Sequence, residues 1–373
     1  MSRHYDIAIL GGGPAGCGTA LALARCGRSV VVLESSRYDR VRVGETLPPV
    51  ARVPLTQLGV WERFIAEGHA PSPGNVSQWG HAELYEEHFI FNAYGHGWHL
   101  DRARFDAMLA SAVEQAGATV HRGARLESCV AMPSAGGWQI GFTLDGALQN
   151  LRAIFLVDAT GRGSSHARRQ GARRLAIDRL VGVVGMFTPG LGGERRDTRT
   201  LVEASEWGWW YSAYLPNGRL IVAYMTDADL LPDGPQRARV DWRRQLDRAP
   251  HTRARVPDRQ LDAPLRIKTA RTDKLDRVTG ARWLAVGDAA ATFDPLSSRG
   301  ITTALQCGLK AALTIERWSE GDAEALIEYD RQAQHDFAQY LKARAVQYGR
   351  ERRWPDSAFW RRRNMDLGVE TTR

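Results

Sequence analysis

The sequence predicts an α/β fold: a Rossmann-type parallel framework interrupted by an antiparallel β-sheet insert and followed by a helical C-terminal region. Three observations predict it. A glycine turn, GGGPAG at Gly11 to Gly16, follows directly on the apolar run Ile7-Ala8-Ile9-Leu10. A second glycine-bearing stretch, LAVGDAAATFDPLSSRGI, spans Leu284 to Ile301 towards the other end. Between them, the β-rich runs Trp207 to Leu215 and Leu220 to Thr226 are joined by Pro216-Asn217-Gly218, a hairpin signature.

Taken in order, Ile7 to Leu10 reads as a buried parallel strand and the Ala/Leu-rich segment from Leu21 as a helix. Between them Gly11 permits the tight turn, Gly13 lets the backbone approach a pyrophosphate, and Gly16 lets helix and strand pack closely. The helix start then offers free N–H groups and a positive dipole end to phosphates. A second strand, Ser29 to Leu33, ends in Glu34, about 20 residues on, where a ribose-binding acid belongs. Leu100 to Gly117 is amphipathic at helical spacing through Phe105, Met108, Leu109, Ala112, Val113 and Ala116. A strand at Ala118 to His121, a hairpin around Pro133 to Gly146 and a parallel strand at Ile154 to Val157, ending at Asp158, follow.

Past Leu180 the pattern turns antiparallel, and alternation puts Trp209, Tyr211 and Ala213 on one face, with Trp210, Ser212 and Tyr214 on the other. The parallel framework resumes at Trp283 to Val286, and from Thr302 the chain reads as helix to about Gln347. The nucleotide domain is therefore expected in three pieces, 1–50, 100–175 and 265–330. Residues 51–99 and 176–264 are expected to form a substrate domain, and 331–373 a C-terminal helix and basic tail. A ligand site between the two domains is the expectation.

Composition narrows the function classes. The 373 residues carry a net charge of +8, nearly all through arginine, since the only lysines are Lys268, Lys274, Lys310 and Lys342. The clusters Arg168-Arg169, Arg173-Arg174, Arg352-Arg353 and Arg361-Arg362-Arg363 are expected to steer an acidic peptide or a carrier protein bearing substrate. No nucleic-acid motif accompanies them, so no nucleic-acid partner is expected. No run approaches the ~18 apolar residues of a membrane span, so none is expected. The start leads almost at once into the first strand, without a signal-peptide pattern, and the four cysteines have no metal spacing. These features point to a cytoplasmic protein with reduced thiols and no metal site.

The ordered set GGGPAG, VGETLPP, GWHLDRARFDAML, DATGRGS, GWWY and GDAAATFDPLSSRGI resembles the flavin-dependent monooxygenases related to tryptophan halogenases. That group has the glutathione-reductase-like fold of group A monooxygenases. Within it the nearest likeness is to flavoproteins that hydroxylate a Trp or Tyr during maturation of protein-derived quinone cofactors. The resemblance implies FAD as cofactor. Gly11, Gly13, Pro14, Ala15 and Gly16 would hold its pyrophosphate and Glu34 its adenosine ribose, with Arg42 and Arg102 as cations near the dinucleotide. Asp158 and Gly161 would lie beside the adenosine half. Gly287 and Asp288 would meet the ribityl chain, Pro295 the ring, and Ser298, Gly300 and Ile301 would bring N–H groups to flavin N1/C2=O. A helix N-terminus there stabilises the negative charge of the reduced ring.

The implied reaction is hydroxylation of an aromatic ring through a flavin C4a-hydroperoxide, with O2 as co-substrate and an acceptor on a peptide or protein. Reduction by NAD(P)H and by an external flavin reductase both remain open, because no second GxGxxG follows a strand. The catalytic candidates are Glu45, close to the expected ring, Trp79 and Trp210 as substrate-facing aromatics, and Asp294 beside Pro295, which equally reads as a helix cap. His69, His81, His96 and His99 are further candidate bases, each more readily read as structural. Halogenation is disfavoured, because no lysine precedes Lys268, Gln78 and Trp79 occupy the matching neighbourhood, and the W-x-W-x-I-P signature is absent. Two rivals stay open: a flavin-dependent double-bond reductase of the prenyl type, and a non-catalytic flavin-binding partner protein.

Overall fold

The computed structural model describes residues 3–39, 42–132, 136–188, 197–256 and 261–365. Residues 133–135 of the expected hairpin and 366–373 of the expected tail lie outside these. Strand β1 (Arg3–Leu10), helix α1 (Pro14–Arg25) and strand β2 (Val30–Glu34) form the opening βαβ unit. β1 lies parallel to β2 and to the long strand Ala147–Asp158, with Thr119–Arg122 and Trp283–Ala285 completing the parallel core. Arg125–Ala131, Trp138–Leu144 and Thr279–Gly280 extend this sheet antiparallel.

The continuous apolar runs of β1 and β2 follow from burial on both faces. Ile7, Ile9, Val30 and Val32 pack under the helix layer with Leu109 and Leu305. Ala8, Leu10, Val31 and Leu33 face the opposite way, against Trp138, Phe142 and Trp283. The fold class is therefore the α/β nucleotide-binding type predicted from the glycine motifs.

A second sheet has seven strands, in the order Arg266–Thr269, Leu180–Phe187, Leu220–Asp227, Gly208–Tyr214, Thr200–Ser205, Gly74–Gln78 and Tyr85–His88. Its pairs are antiparallel except Thr200–Ser205 with Gly74–Gln78, which brings two distant stretches of chain into one sheet. The Pro-Asn-Gly turn closes as read, with the Leu215 and Arg219 backbones bonded and Gly218 N–H donating to Leu215 C=O at 2.8 Å. Alternation also holds: Trp209 and Ala213 pack on one face with Ile221 and Met225. Trp210 and Tyr214 pack on the other with Trp242 of the helix Pro235–Asp247.

The single long helix expected from Thr302 is two, Gly300–Ser319 and Ala325–Gly349. Gly321, at φ +98°, breaks the run in a conformation that only glycine adopts without strain. A last helix, Ala358–Met365, folds back so that Phe359 and Trp360 pack on Tyr348.

Five of the nine arginines in the clusters are tied into ion pairs, while Arg168, Arg169, Arg352 and Arg361 are exposed. Arg363 is 4% exposed, pairs with Asp227 at 2.7 Å, and lies 3.6 Å from the Phe359 ring centre. Arg362 bridges Asp227 and Asp229, Arg353 pairs with Glu351, Arg173 with Asp276, and Arg174 with Asp273. These guanidiniums fasten chain segments together. Arg363→Ala, which leaves Asp227 buried with one partner fewer, is expected to cost about 3 kcal/mol in urea unfolding. Arg361→Ala, at an exposed position of the same run, is expected to change stability by less than about 0.5 kcal/mol.

Candidate active site

The two sheets enclose a cavity of ≈ 1080 Å³ that begins at the glycine turn and ends under the second sheet. At the turn, Gly11 (φ +107°) runs so close to Ala159 that a Cβ would lie 2.3 Å from its carbonyl oxygen. A Cβ on Gly16 would come 2.0 Å from Gly11 O, so these two glycines serve packing. Gly13 differs: nothing lies within 4 Å of where its Cβ would be, and it faces the cavity with Pro14 and Ala15.

Two helix ends open into this space. α1 begins after Gly13 and the helix Gly300–Ser319 after Arg299, and neither has a side-chain cap. The helix Arg102–Gln115, by contrast, is capped by Asp101 through Ala103 N–H and Arg104 N–H. The first-turn N–H groups of the two cavity helices are thus free for a ligand, and their dipoles favour an anion.

At the far end of β2, Glu34 accepts hydrogen bonds from Gly12 N–H at 2.7 Å and Ser36 N–H at 2.8 Å. Arg42 bridges Asp106, at 3.1 Å, to Ser36 and Glu34. Arg102 reaches Val43 and Gly44 carbonyls and the same Asp106, holding the 42–45 segment along the cavity. Asp288 opens into the cavity with its side chain 45% exposed and Arg162 at 3.8 Å. Burial of this stretch of the cleft raises its carboxyl above the usual range, with Arg162 opposing. Pro295, Ser298, Gly300 and Ile301 complete this wall.

Two residues assigned to the dinucleotide do other work. Asp158 is fully buried and its carboxylate is consumed by Thr160, His166 N–H and Ala167 N–H, so it caps the helix Ser165–Arg169. Ala159, Thr160 and Gly161 face the cavity in its place. Gly287 (φ +58°) is a contact glycine, where a Cβ would lie 2.6 Å from that of Ala15.

The catalytic candidates separate in the same way. Glu45 is 2% exposed and lines the cavity. Its carboxylate accepts from Gly44 N–H and bonds the Tyr211 hydroxyl, which in turn shares a 2.6 Å bond with Thr46. Burial raises the Glu45 carboxyl and pushes the Tyr211 phenol well above its ordinary value, so Tyr211 stays neutral. Asp294 lines the cavity too, but accepts from Leu296 N–H, Tyr348 O–H and Arg344 and so holds the turn at Pro295.

Trp210 does not face substrate: it stacks on Tyr224 at 4.7 Å beneath Trp242, on the sheet face away from the cavity. Trp79 is withdrawn as well, donating to Gln347 C=O and packing on Trp209, Tyr348 and Trp360. The rings at the cavity are Trp209, Tyr211 and Phe293, with Val184, Ala223 and Met225 beside the first two. Alternation had paired Trp209 with Tyr211 on one face, but which face met the cavity was not readable from the strand. None of the four histidines lines the cavity. His69 and His99 are buried, which lowers each to about 4 and leaves it neutral at pH 7.

A family model described as FAD binding domain matches residues 4–345. The chain belongs to the FAD binding domain family. It is 30% identical over 371 residues to the protein named "Putative FAD-dependent oxidoreductase LodB" of Marinomonas mediterranea, with 97% of each chain covered. Among solved structures it resembles the flavin-dependent halogenase CmlS, with TM-score 0.85 and 25% identity over 97% of this chain and 68% of that one. It also resembles QhpG, a peptidyl tryptophan dihydroxylase essential for tryptophylquinone cofactor biogenesis, with TM-score 0.77 and 26% identity over 97% of this chain and 79% of that one. The protein is thus a FAD-dependent oxidoreductase of halogenase-like architecture. The residues present fit FAD: two uncapped helix ends for its charged parts, Glu34 for a ribose, and an elongated cavity joining them. No helix among the described residues is long and apolar enough to cross a membrane, and none of their His, Cys, Asp and Glu side chains group to hold a metal.

The glycines separate cofactor binding from folding. Gly13→Val, whose side chain enters open cavity, is expected to leave the melting temperature of the FAD-free protein unchanged while reducing FAD affinity at least ~100-fold by fluorescence titration. Gly16→Val is expected to yield no stably folded protein at all.

Proposed function

We propose that the protein is a FAD-dependent monooxygenase that hydroxylates an aromatic ring, the indole of a tryptophan residue within a peptide or protein. The observation that carries this reading is the continuation of the cavity past the Gly300–Ile301 helix end, to the apolar side chains Val184, Ala223 and Met225, with the buried carboxyl of Glu45 on the same cavity. The similarity to a peptidyl tryptophan dihydroxylase and to a full-length FAD-dependent relative supports it. Reduced FAD supplies the activation of O2, so that one oxygen atom enters a ring C–H bond and the other leaves as water. Two electrons and two protons come from NAD(P)H or from an external flavin reductase.

The chain's own part is to orient and to keep dry. Val184, Ala223 and Met225 present apolar surface to a ring, with Trp209 beside them to offer edge-to-face contact. The N–H groups at Gly300 and Ile301, at an uncapped helix start, would stabilise negative charge on a bound reduced flavin. Glu45 accepts the proton that the substrate ring loses, and Tyr211 and Thr46 hold its carboxylate in place.

Lys268 gives the halogenase reading one observation in its favour, since it lines the cavity wall. The two readings part on product mass. Turnover of a Trp-containing peptide with reduced FAD, O2 and chloride or bromide is expected to add oxygen alone, and halogen in the product would overturn the proposal. Anaerobic turnover of an alkene would point to a double-bond reductase instead.

Glu45→Gln is expected to lower kcat about 100-fold. Wild-type activity should rise with pH through an apparent pKa above 4.5, as the raised carboxyl ionises, and this acidic limb should vanish in the variant. The stability sign is the opposite. A carboxyl raised in the folded state contributes stability fully below its unfolded value and loses it as pH rises through the folded one. The variant should therefore melt no lower than wild type at pH 8, which separates lost chemistry from lost structure.

A further inference from the structure

One wall of the cavity is the last strand of the second sheet, and one side of that strand has no partner among the described residues. Arg266–Thr269 pairs only with Leu180–Phe187 among the described residues. The register matches Lys268 to Gly182 and Arg266 to Val184, and Ala270 N–H donates to Leu180 C=O. An antiparallel ladder alternates inward and outward pairs, so the backbone groups of Arg266 and Lys268 turn inward. Those of Ile267 and Thr269 turn outward, with no partner among the described residues. All four residues of the strand are exposed.

The side chains carry a second, independent message. Arg266 and Lys268 share the sheet face of Gly182 and Val184, which line the cavity, and both line it themselves. Unlike the side chains of Arg362 and Arg363, neither has an ion pair or hydrogen bond among the described residues. The opposite edge of the same sheet, Tyr85–His88, carries Glu86 and Glu87 and does not border the cavity. An acidic segment is therefore attracted to one edge and repelled by the other. Cationic residues also protect edges from self-pairing, but that role does not require them to face a cavity.

We propose that this edge receives an extended acidic segment of a protein substrate as an added β-strand, placing a tryptophan side chain of that segment in the cavity. This rests on the hydroxylase reading above and names how its substrate is held. Residues opposite Arg266 and Lys268 on an added strand have their side chains on the cavity face, at a spacing of two. One position takes the tryptophan and the next on that face takes an Asp or Glu against the free cation, with Cβ atoms about 5 Å apart.

The test uses the FAD-loaded protein and a position-scanning library of tryptophan-centred nonapeptides, with retention read by mass spectrometry independently of turnover. Retained peptides are expected to be enriched in Asp or Glu two residues from the tryptophan. Retention should fall at least ~10-fold in an R266E/K268E variant whose melting temperature is unchanged. For the best peptide, N-methylation at alternate residues should weaken binding about 10-fold in one register only, as strand addition requires. Absence of retention, of acidic enrichment or of register dependence would overturn the proposal. If peptides bind in this pattern but gain no oxygen under turnover conditions, the hydroxylase reading fails while the docking edge stands. If free tryptophan is hydroxylated and no peptide is retained, the edge fails alone.

Discussion

The site depends on one close contact, the packing of α1 against the helix Gly300–Ser319. A Cβ on Gly308 would lie 2.8 Å from both Ala15 O and Thr19 N, so the two backbones touch where side chains would normally hold them apart. Gly18 faces the same contact, and Gly287 removes the bulk that would push Ala15 away. Helix axes ordinarily sit 8–10 Å apart, depending on the residues between them. Glycine at the crossing lets these two backbones approach closely, and both uncapped N-termini open into one cavity. Their partial positive charges would favour the anionic parts of a bound dinucleotide.

From that contact outward the molecule sorts its charges by burial. Aspartates that line or adjoin the cavity are committed: Asp106 to Arg42 and Arg102, Asp158 to a helix start, Asp294 to Tyr348 and Arg344. Glu45 is the exception, a buried cavity carboxyl bonded to neutral groups alone, Gly44 N–H and the Tyr211 phenol. A carboxylate without a cation bonded to it carries its desolvation cost as a raised pKa. Asp288 also has a raised carboxyl, but it is open to the cavity and faces Arg162, so Glu45 is the buried one of the two.

Legibility followed the kind of constraint each residue obeys. The glycine turn, Glu34 and the 294–301 loop were readable because they meet backbone requirements, close approach and unclaimed N–H groups, that tolerate few substitutes. Glu45 was legible from its neighbourhood in VGETLPP, although not its bond to Tyr211. Trp79 and Trp210 were misread because an indole looks the same in sequence whether it faces a ligand or a core. Alternation correctly separated Trp209 from Trp210, yet nothing along the strand marks which face a distant helix covers. Here the helix Pro235–Asp247 covers the Trp210 face through Trp242. Which arginines of the basic runs are committed was hidden for a related reason, because their partners lie far along the chain: Arg363 pairs with Asp227, and Arg174 with Asp273.

The sequence by itself determined the α/β class, the dinucleotide cradle and the pairing of the hairpin strands, because each is written in contacts within a few residues or in a strict two-residue or helical period. Only the tertiary structure decided which aromatic rings meet the cavity, which carboxyl there is bonded to neutral groups alone, and that Arg266 and Lys268 line the same cavity. Those properties belong to surfaces assembled from segments far apart in the chain, such as the cavity wall that Glu45 and Tyr211 share with Arg266 and Lys268. Burial and pairing at such surfaces depend on what packs opposite, and no local pattern records that.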